Sequence, residues 1–291
     1  MQAVISAIVK SVSSTTPISL QVTCYYLIPV LYFIPLIMKN GFHLYKPNHL
    51  SLHFIRGLFS ISSVCCFFYA VKYIPLGIST ALFNMIPFFV PLIAQILLKE
   101  RASLRIYLGL SVALPGVLLI LNLRFLSFSN FDFVIGLSAA VLMATSMVLL
   151  KHLTQVKEST SQIVFNQYST CSLAALLLLG LEALQNPREF QLIQAHVNAM
   201  TFFLLIGLGL LGIGVQFCFS KATQRMAAAQ CAPFLYLSVP ISSVLGFLIW
   251  QQNLTPSTIV GSIFIFIGLC VCSLGRKKSA ASWFTLLPNN S

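Results

Sequence analysis

The chain has 291 residues, of which 58% are hydrophobic and 8% are charged, and its formal net charge is +12. Soluble domains carry about 25% charged residues, so this composition excludes a soluble globular protein. The apolar residues form long continuous runs. Because these runs lack the short alternating pattern of a membrane β-barrel, the chain is predicted to be an all-α integral membrane protein.

Nine apolar stretches are each long enough to cross about 30 Å of hydrocarbon as an α-helix. They lie near residues 18–38, 55–74, 76–98, 106–123, 133–150, 161–181, 200–220, 229–250 and 257–275. The segment before them, Met1 to Lys10, reads as half a helix. The pattern therefore predicts nine full spans plus a stub, all of them in contact with a lipid bilayer.

The basic residues are distributed unequally between the two sides of this predicted membrane protein. Taking the loops alternately from the first full span, thirteen lie on one side: Lys39, Lys46, Arg56, Lys99, Arg101, Arg105, Lys151, Lys157, Lys221, Arg225, Arg276, Lys277 and Lys278. Four lie on the other: Lys10, Lys72, Arg124 and Arg188. This positive-inside bias predicts an inner-membrane protein with a short cytoplasmic C-terminal tail over 277–291. Because the charges report orientation, we expect no nucleic-acid partner.

The cysteines and histidines do not form a metal-site pattern in the sequence. The eight cysteines fall in apolar spans without CxxC spacing. His49 and His53 are four residues apart but have no carboxylate beside them, and two ligands do not complete a site. We therefore expect neither a metal nor a cofactor.

The two halves of the chain repeat each other. Gly109 and Gly116 in the fifth helix of the scheme coincide with Gly261 and Gly268 in the last helix after a shift of 152 residues. A step of seven residues returns to nearly the same helix face, so each pair forms a flat stripe that another helix can approach closely. The stripes predict tight helix packing, and a second copy of the chain in a homodimer is one candidate partner for them.

Lys10 and Lys151 mark equivalent points in the two halves. Each is followed by a polar turn, but the helix before Lys151 has eighteen residues and the one before Lys10 has nine. By its own repeat, the chain lacks the first half of helix one, and we expect either an upstream continuation or an impaired protein. With that helix counted, each half has five helices, and an odd number gives the halves opposite membrane orientations. Nine true spans with an exposed stub are the alternative.

An ordered set of residues in both halves resembles a known family. The first half carries Arg56-Gly57-Leu58, Tyr69-Ala70, Ile74-Pro75, Ala81, Pro87, Lys99-Glu100, Gly109 and Gly116, and the second carries Ala232-Pro233, Pro240, Gly261 and Gly268. These residues resemble two EamA repeats of the drug/metabolite transporter superfamily, over 1–130 and 131–276. The resemblance implies an inverted repeat of two five-helix bundles, a ten-helix carrier with a central cavity between them. The short first helix and Gln252, where the family usually has glutamate, depart from the pattern.

The resemblance also implies that helices one, three, four, six, eight and nine surround the cavity. The polar or aromatic residues on these helices are the candidate substrate contacts: Tyr69, Phe83, Asn84, Ser146, Gln216, Ser220, Gln230 and Tyr236. Amides and phenols can orient a ligand while aromatic faces cover its apolar part. The alternative for each residue is a hydrogen bond to a neighbouring helix.

The predicted spans carry no acidic or basic residue in their central parts. Intramembrane ionisable groups mark ion-coupling sites, so this pattern argues against a carboxylate-driven proton antiporter and against a sugar-phosphate exchanger. We therefore expect a carrier, not an enzyme, that moves a small neutral, zwitterionic or partly apolar metabolite by alternating access. By the resemblance, an amino acid, a nucleotide-type metabolite or a drug would fit. A non-transporting or degenerate membrane scaffold is the alternative, and an intramembrane enzyme is less favoured because the sequence has no HExxH or GxSxG motif.

Overall fold

The computed structural model of the protein describes residues 1–13, 15–100, 103–121, 130–185, 198–251 and 255–273, and every regular element in these ranges is helical. The first half contains α1 (Gln2–Val12), α2 (Ile18–Asn40), α3 (Leu50–Tyr73), α4 in two pieces (Leu76–Phe83 and Ile86–Leu97) and α5 (Leu104–Leu121). The second half contains α6 (Asn130–Gln155), α7 (Thr160–Gln185), α8 (Ala199–Arg225), α9 and α10 (Pro256–Ser273). Helix α9 combines a short helix (Ala228–Cys231), a 3₁₀ segment (Ala232–Leu237) and a longer helix (Ser238–Trp250). Gln252 and the predicted tail over 277–291 lie outside the described residues.

The nine predicted spans correspond to α2 through α10, and the predicted stub corresponds to α1. Among the described residues, seven segments are long and apolar enough to cross a membrane, while α5 and α10 contribute shorter apolar stretches, Leu104–Ile120 and Pro256–Cys272. Large apolar side chains cover the outside of the bundle, as Met38 (83% exposed) and Ile96 (76% exposed) illustrate. A water-soluble protein rarely exposes apolar surface on this scale, whereas a bilayer accommodates it. The fold is thus that of an all-α multi-pass membrane protein.

The helices pack in pairs that obey an approximate two-fold symmetry. Helix α3 packs on α6 and on α7, and the equivalent helix α8 packs on α1 and on α2. Likewise, α4 packs on α6 and α9 packs on α1. The symmetry exchanges the two members of two further packed pairs, α2 with α7 and α5 with α10. Because each half has five helices, this arrangement is the inverted repeat that the sequence predicts.

Two lysines make the same contact in the two halves. The Lys10 ammonium donates to the carbonyl oxygens of Val71 at 2.8 Å and Ile74 at 3.3 Å, at the end of α3. The Lys151 ammonium donates to the carbonyl oxygens of Thr223 at 2.9 Å and Met226 at 3.1 Å, at the end of α8. The last carbonyls of a helix have no partner within the helix and carry partial negative charge, so a lysine there is stabilising.

The two glycine stripes face each other within one chain. A Cβ atom on Gly116 would lie 2.5 Å from the carbonyl oxygen of Gly261, and one on Gly268 would lie 2.5 Å from that of Gly109. The backbones of α5 and α10 therefore touch along the whole stripe, which only glycine permits. This corrects the expectation of a homodimer through these helices, because the stripes are already covered by each other.

The sequence pattern predicted that the third helix begins near residue 55. In the structure, α3 begins at Leu50. Glu158 lies at this start of the helix, where its Oε1 atom accepts hydrogen bonds from the amides of Asn48 and His49, both at 3.1 Å. A carboxylate at a helix N-terminus satisfies free amides and interacts favourably with the helix dipole. The extra turns bring His53 and Arg56 inside the helix, where both are buried.

Candidate functional site

A cavity lies between the two halves, enclosed by α2, α3, α6, α7 and α8. Its walls comprise Tyr25, Tyr26, Arg56, Ser60, Val64, Met143, Ser146, Met147, Leu150, Gln167, Tyr168, Gln216 and Phe219. The cavity has a volume of ≈ 30 Å³. One water needs roughly 10–15 Å³ of such space, so about two or three waters fit. A metabolite is accommodated only after the surrounding helices separate.

A chain of polar side chains crosses this cavity and joins four helices. The Gln216 amide on α8 donates to the Gln167 carbonyl oxygen on α7 at 3.1 Å, and the Gln167 amide donates to the Ser60 hydroxyl on α3 at 2.6 Å. Ser60 in turn shares a hydrogen bond of 3.1 Å with the Tyr26 hydroxyl on α2. Because α2 and α3 belong to the first half and α7 and α8 to the second, the chain connects the two repeats.

Three tyrosine rings form one wall of the cavity. The ring centroid of Tyr25 lies 5.0 Å from that of Tyr26 and 6.4 Å from that of Tyr168, and the last two are 5.9 Å apart. Gly212 of α8 lies against this group, since a Cβ atom there would be 2.8 Å from the Tyr25 ring. The wall therefore offers aromatic faces with hydroxyl groups at their edges.

Arg56 places a positive charge in the cavity wall. Its side chain is 2% exposed, and its Nη1 atom donates to the Ile163 carbonyl oxygen on α7 at 3.4 Å. The buried Nε atom has no hydrogen-bond partner among the described residues. The neighbouring Gly57 lets α7 approach closely, because a Cβ atom there would lie 2.7 Å from the Thr170 hydroxyl. The sequence placed Arg56 near the edge of the predicted span 55–74, and the structure buries its side chain near the start of α3.

A second set of hydrogen bonds joins the two halves near the cavity. The loop over residues 45–49, which precedes α3, receives bonds from α7: the Asn166 amide donates to the Tyr45 carbonyl oxygen at 2.8 Å, and the Gln162 amide donates to that of Lys46 at 3.0 Å. Glu158 contributes to this set through the Asn48 and His49 amides and through its Oε2 atom, which pairs with Nε2 of His53. Both side chains of this pair are fully buried. The 45–49 loop of the first half is thus held against α7 of the second half.

Two of the predicted contact residues lie in the cavity wall. Gln216 belongs to the polar chain, and Ser146 lies on α6 with its hydroxyl 3.4 Å from the Arg56 carbonyl oxygen. Ser220 is one turn from Gln216 and is completely buried, with no partner for its hydroxyl among the described residues. Phe83 is buried and stacks on Phe67, with 4.2 Å between ring centroids.

The remaining four predicted residues, like Ser220 and Phe83, do not line this cavity. The Asn84 side chain donates to the Thr80 carbonyl oxygen at 2.6 Å and accepts from the Ser238 hydroxyl at 2.9 Å. Its position is the break between the two pieces of α4. Tyr236 is buried in the 3₁₀ segment of α9, with a hydroxyl that has no partner among the described residues. Tyr69 bonds Asp132 at 3.1 Å, and Gln230 is exposed.

Sequence reasoning missed the residues from helices that the resemblance did not assign to the cavity. Tyr25 and Tyr26 lie on α2, and Gln167 and Tyr168 lie on α7. Arg56 lies on a helix that was assigned to the cavity, but it was counted as a loop charge. The available signal was a pair of adjacent polar residues inside an apolar span, which is costly in lipid and indicates a face turned inward.

Comparison with known proteins identifies the fold and the family. The model of the EamA-like transporter family matches residues 1–122 and 132–274, which is nearly the whole chain. The chain belongs to this family. A solved crystal structure superposes on this EamA-like transporter with a TM-score of 0.71 over 93% of both chains. With 19% sequence identity, that likeness describes the fold alone.

Curated relatives of this EamA-like transporter are named for the transport of several metabolites. The chain is 26% identical to a pseudopaline exporter of Pseudomonas aeruginosa, over 94% of this chain and 92% of the relative. An S-adenosylmethionine uptake transporter of Rickettsia prowazekii is 24% identical, with 86% and 80% covered. A riboflavin transporter of Brucella anthropi is also 24% identical, with 77% of each chain covered. The relatives agree on membrane transport and differ in cargo.

Proposed function

We propose that the protein is a multi-pass inner-membrane carrier that moves a small neutral, zwitterionic or partly apolar metabolite by alternating access. The observation that carries this proposal is the cavity between the repeats, crossed by the polar chain from Gln216 to Tyr26. Polar groups inside a membrane bundle are costly and tend to mark a substrate pathway. Gln216 and Ser146 are the sequence-predicted residues that contact the substrate in this proposal.

The packing of the helices supports alternating access. In this proposal the 45–49 loop closes one end of the cavity, and its hydrogen bonds to α7 can break without unwinding a helix. The glycine stripes bring the backbones of α5 and α10 into direct contact. Rocking of one repeat against the other about the α5–α10 contact would open the cavity while most helix contacts persist.

The orientation of the carrier follows from the charge asymmetry of the sequence. The thirteen-to-four distribution of basic residues supports a cytoplasmic C-terminus, with the 45–49 loop on the same side. Alkaline phosphatase or green fluorescent protein fused after Ser291 reports the side directly. We expect fluorescence and no phosphatase activity, and strong phosphatase activity would reverse the orientation.

Reconstitution tests the carrier function. Purified protein in liposomes is exposed to a defined mixture of the twenty amino acids, S-adenosylmethionine, riboflavin and nucleosides, and the trapped compounds are identified by mass spectrometry. We expect protein-dependent accumulation of at least one compound. Liposomes without protein are the control, and equal accumulation in both would support the scaffold alternative.

Variants at Gln216 and Arg225 connect this function to the cavity. Gln216→Leu removes one amide from the polar chain with little change in volume, and we expect a loss of about 5–150-fold in affinity. The matched change Arg225→Gln, in the exposed last turn of α8, should leave affinity unchanged. Unaltered affinity in Gln216→Leu would remove this residue from the site and leave the carrier function untouched.

A further inference from the structure

Arg56 combines deep burial with few hydrogen-bond partners. Among the described residues, its Nη1 atom donates one long hydrogen bond of 3.4 Å to the Ile163 carbonyl oxygen, and Nε has no partner. A guanidinium carries five N–H donors, and unpaired buried donors on a charged group cost free energy. An arginine in this position points to a partner supplied from outside the chain.

The buried carboxylate in this region does not fill that role. Glu158 attracts Arg56 electrostatically but forms no ion pair with it in the described structure. Its Oε1 atom is bonded to the Asn48 and His49 amides, and its Oε2 atom is paired with His53. Both oxygens of the carboxylate therefore have partners, one in the 45–49 loop and one in α3, and Arg56 lines the cavity without an ion-pair partner among the described residues.

The remainder of the cavity wall limits what can approach Arg56. Among the described residues that line the cavity, Arg56 is the only charged one. One positive charge balances one carboxylate, whereas a phosphate dianion would keep an uncompensated charge in a buried site. The rings of Tyr25, Tyr26 and Tyr168 offer aromatic faces, which attract apolar groups and cations. The Gln167 and Gln216 amides provide further polar contacts.

We propose that the guanidinium of Arg56 binds the carboxylate of the transported metabolite, while the three tyrosines receive its apolar or cationic remainder. Arginine matches a carboxylate because two parallel N–H donors meet its two oxygens. The substrate class is then narrowed to zwitterionic, amino-acid-like molecules. This inference rests on the proposed carrier function and on the opening of the cavity that such a carrier requires.

The experiment repeats the liposome assay on three variants of the full chain. In the wild type, we expect the accumulated compounds to carry a free carboxylate beside an amino group, as amino acids and S-adenosylmethionine do. Arg56→Gln should lower their uptake at subsaturating concentration about 10–150-fold, the effect of losing charge-assisted hydrogen bonds. Arg56→Lys keeps the charge without the paired donors and should be intermediate. Arg105→Gln removes an exposed arginine at the start of α5 and should transport normally.

Folding of each variant is measured by size-exclusion chromatography and thermal unfolding in detergent, so that lost transport is separated from lost structure. If Arg56→Gln does not fold, the comparison of Arg56→Lys with Arg105→Gln decides. Wild-type accumulation of riboflavin or nucleosides alone would overturn the inference and leave the carrier function standing. Normal amino-acid uptake in a folded Arg56→Gln or Arg56→Lys protein would do the same. A wild type that moves no compound in the mixture would instead contradict the carrier function.

Discussion

Helices α3 and α8 occupy equivalent places in the two repeats, yet they contribute differently to the protein. A shift of 152 residues aligns Gly57 with Gly209 and Phe67 with Phe219. Both glycines admit a close neighbour: a Cβ atom on Gly57 would lie 2.7 Å from a side chain of α7, and one on Gly209 would lie 2.6 Å from Ile28 of α2. The positions that determine packing are thus retained in both repeats.

The same shift shows where the two helices diverge. Three polar residues of α3 align with apolar or small residues of α8: His53 with Leu205, Arg56 with Leu208, and Ser60 with Gly212. All three α3 residues are buried and serve the cavity or its closure. Symmetric backbone packing and asymmetric chemistry therefore coexist. A carrier needs two similar halves to rock against each other, but its substrate is not symmetric.

The largest effect is expected from removing the carboxylate that only the α3 end possesses. Glu158→Leu strands His53 and the amides of Asn48 and His49 in a buried place. Breaking a buried charged contact by deleting one partner costs about 3–5 kcal/mol, which thermal or denaturant unfolding in detergent measures. Glu158→Gln retains an acceptor for the two amides and should lose less. Equal stability of Glu158→Leu and the wild type would refute the role assigned to this carboxylate.

A smaller loss is expected where the two repeats share the same glycine contact. Gly116→Ala and Gly261→Ala each push a Cβ atom to 2.5 Å from a backbone oxygen of the opposite helix. Because that oxygen cannot rotate away, we expect each to cost about 1–3 kcal/mol in the free energy of unfolding. Gly180→Ala is the control, since nothing lies within 4 Å of its Cβ position. If all three variants had the same melting temperature, the α5–α10 contact would not be tight.

The lysine contacts test the symmetry itself. Lys10→Met and Lys151→Met each remove bonds to the last carbonyls of one helix, α3 or α8. We expect similar losses of about 1–2 kcal/mol, and an additive loss in the double variant because the two sites share no partner. Melting temperatures of the single and double variants provide the measurement. A large loss in one variant with none in the other would contradict the equivalence.

The smallest effect concerns two tyrosine hydroxyls. Tyr236→Phe removes a buried hydroxyl without a partner among the described residues, so stability should change by less than about 0.5 kcal/mol or rise slightly. Tyr26→Phe removes the hydroxyl that shares a bond with Ser60 and should cost about 1 kcal/mol. Comparing the two unfolding curves isolates the contribution of the polar chain. A greater loss for Tyr236→Phe would indicate a contact that the closed structure does not contain.

Much of the fold could be predicted because the bilayer imposes strong rules on the sequence. A spanning segment must satisfy its own backbone hydrogen bonds, so each long apolar run becomes a helix. The nine predicted spans correspond to α2 through α10 for this reason. The glycine spacing and the matching lysines likewise revealed the repeat, since packing between helices depends on small residues at regular steps.

The candidate site was less accessible from the sequence. Ser146 and Gln216 could be predicted because they are polar residues on helices that the family resemblance assigns to the cavity. Tyr26 and Gln167 could not, because hydropathy marks a span but does not say which face of it turns inward. That choice depends on the neighbours of each helix, which lie far away in the sequence.

The sequence alone determined the helical class, the places of the apolar helices along the chain and the repeated halves, because lipid selects for apolar length and glycine spacing. Only the tertiary structure decided the position of Arg56. Its side chain meets α7 at the Ile163 carbonyl oxygen, 107 residues away in the sequence. No local pattern records such a contact between distant helices. Tertiary packing also decided that the glycine stripe of α5 lies against the glycine stripe of α10.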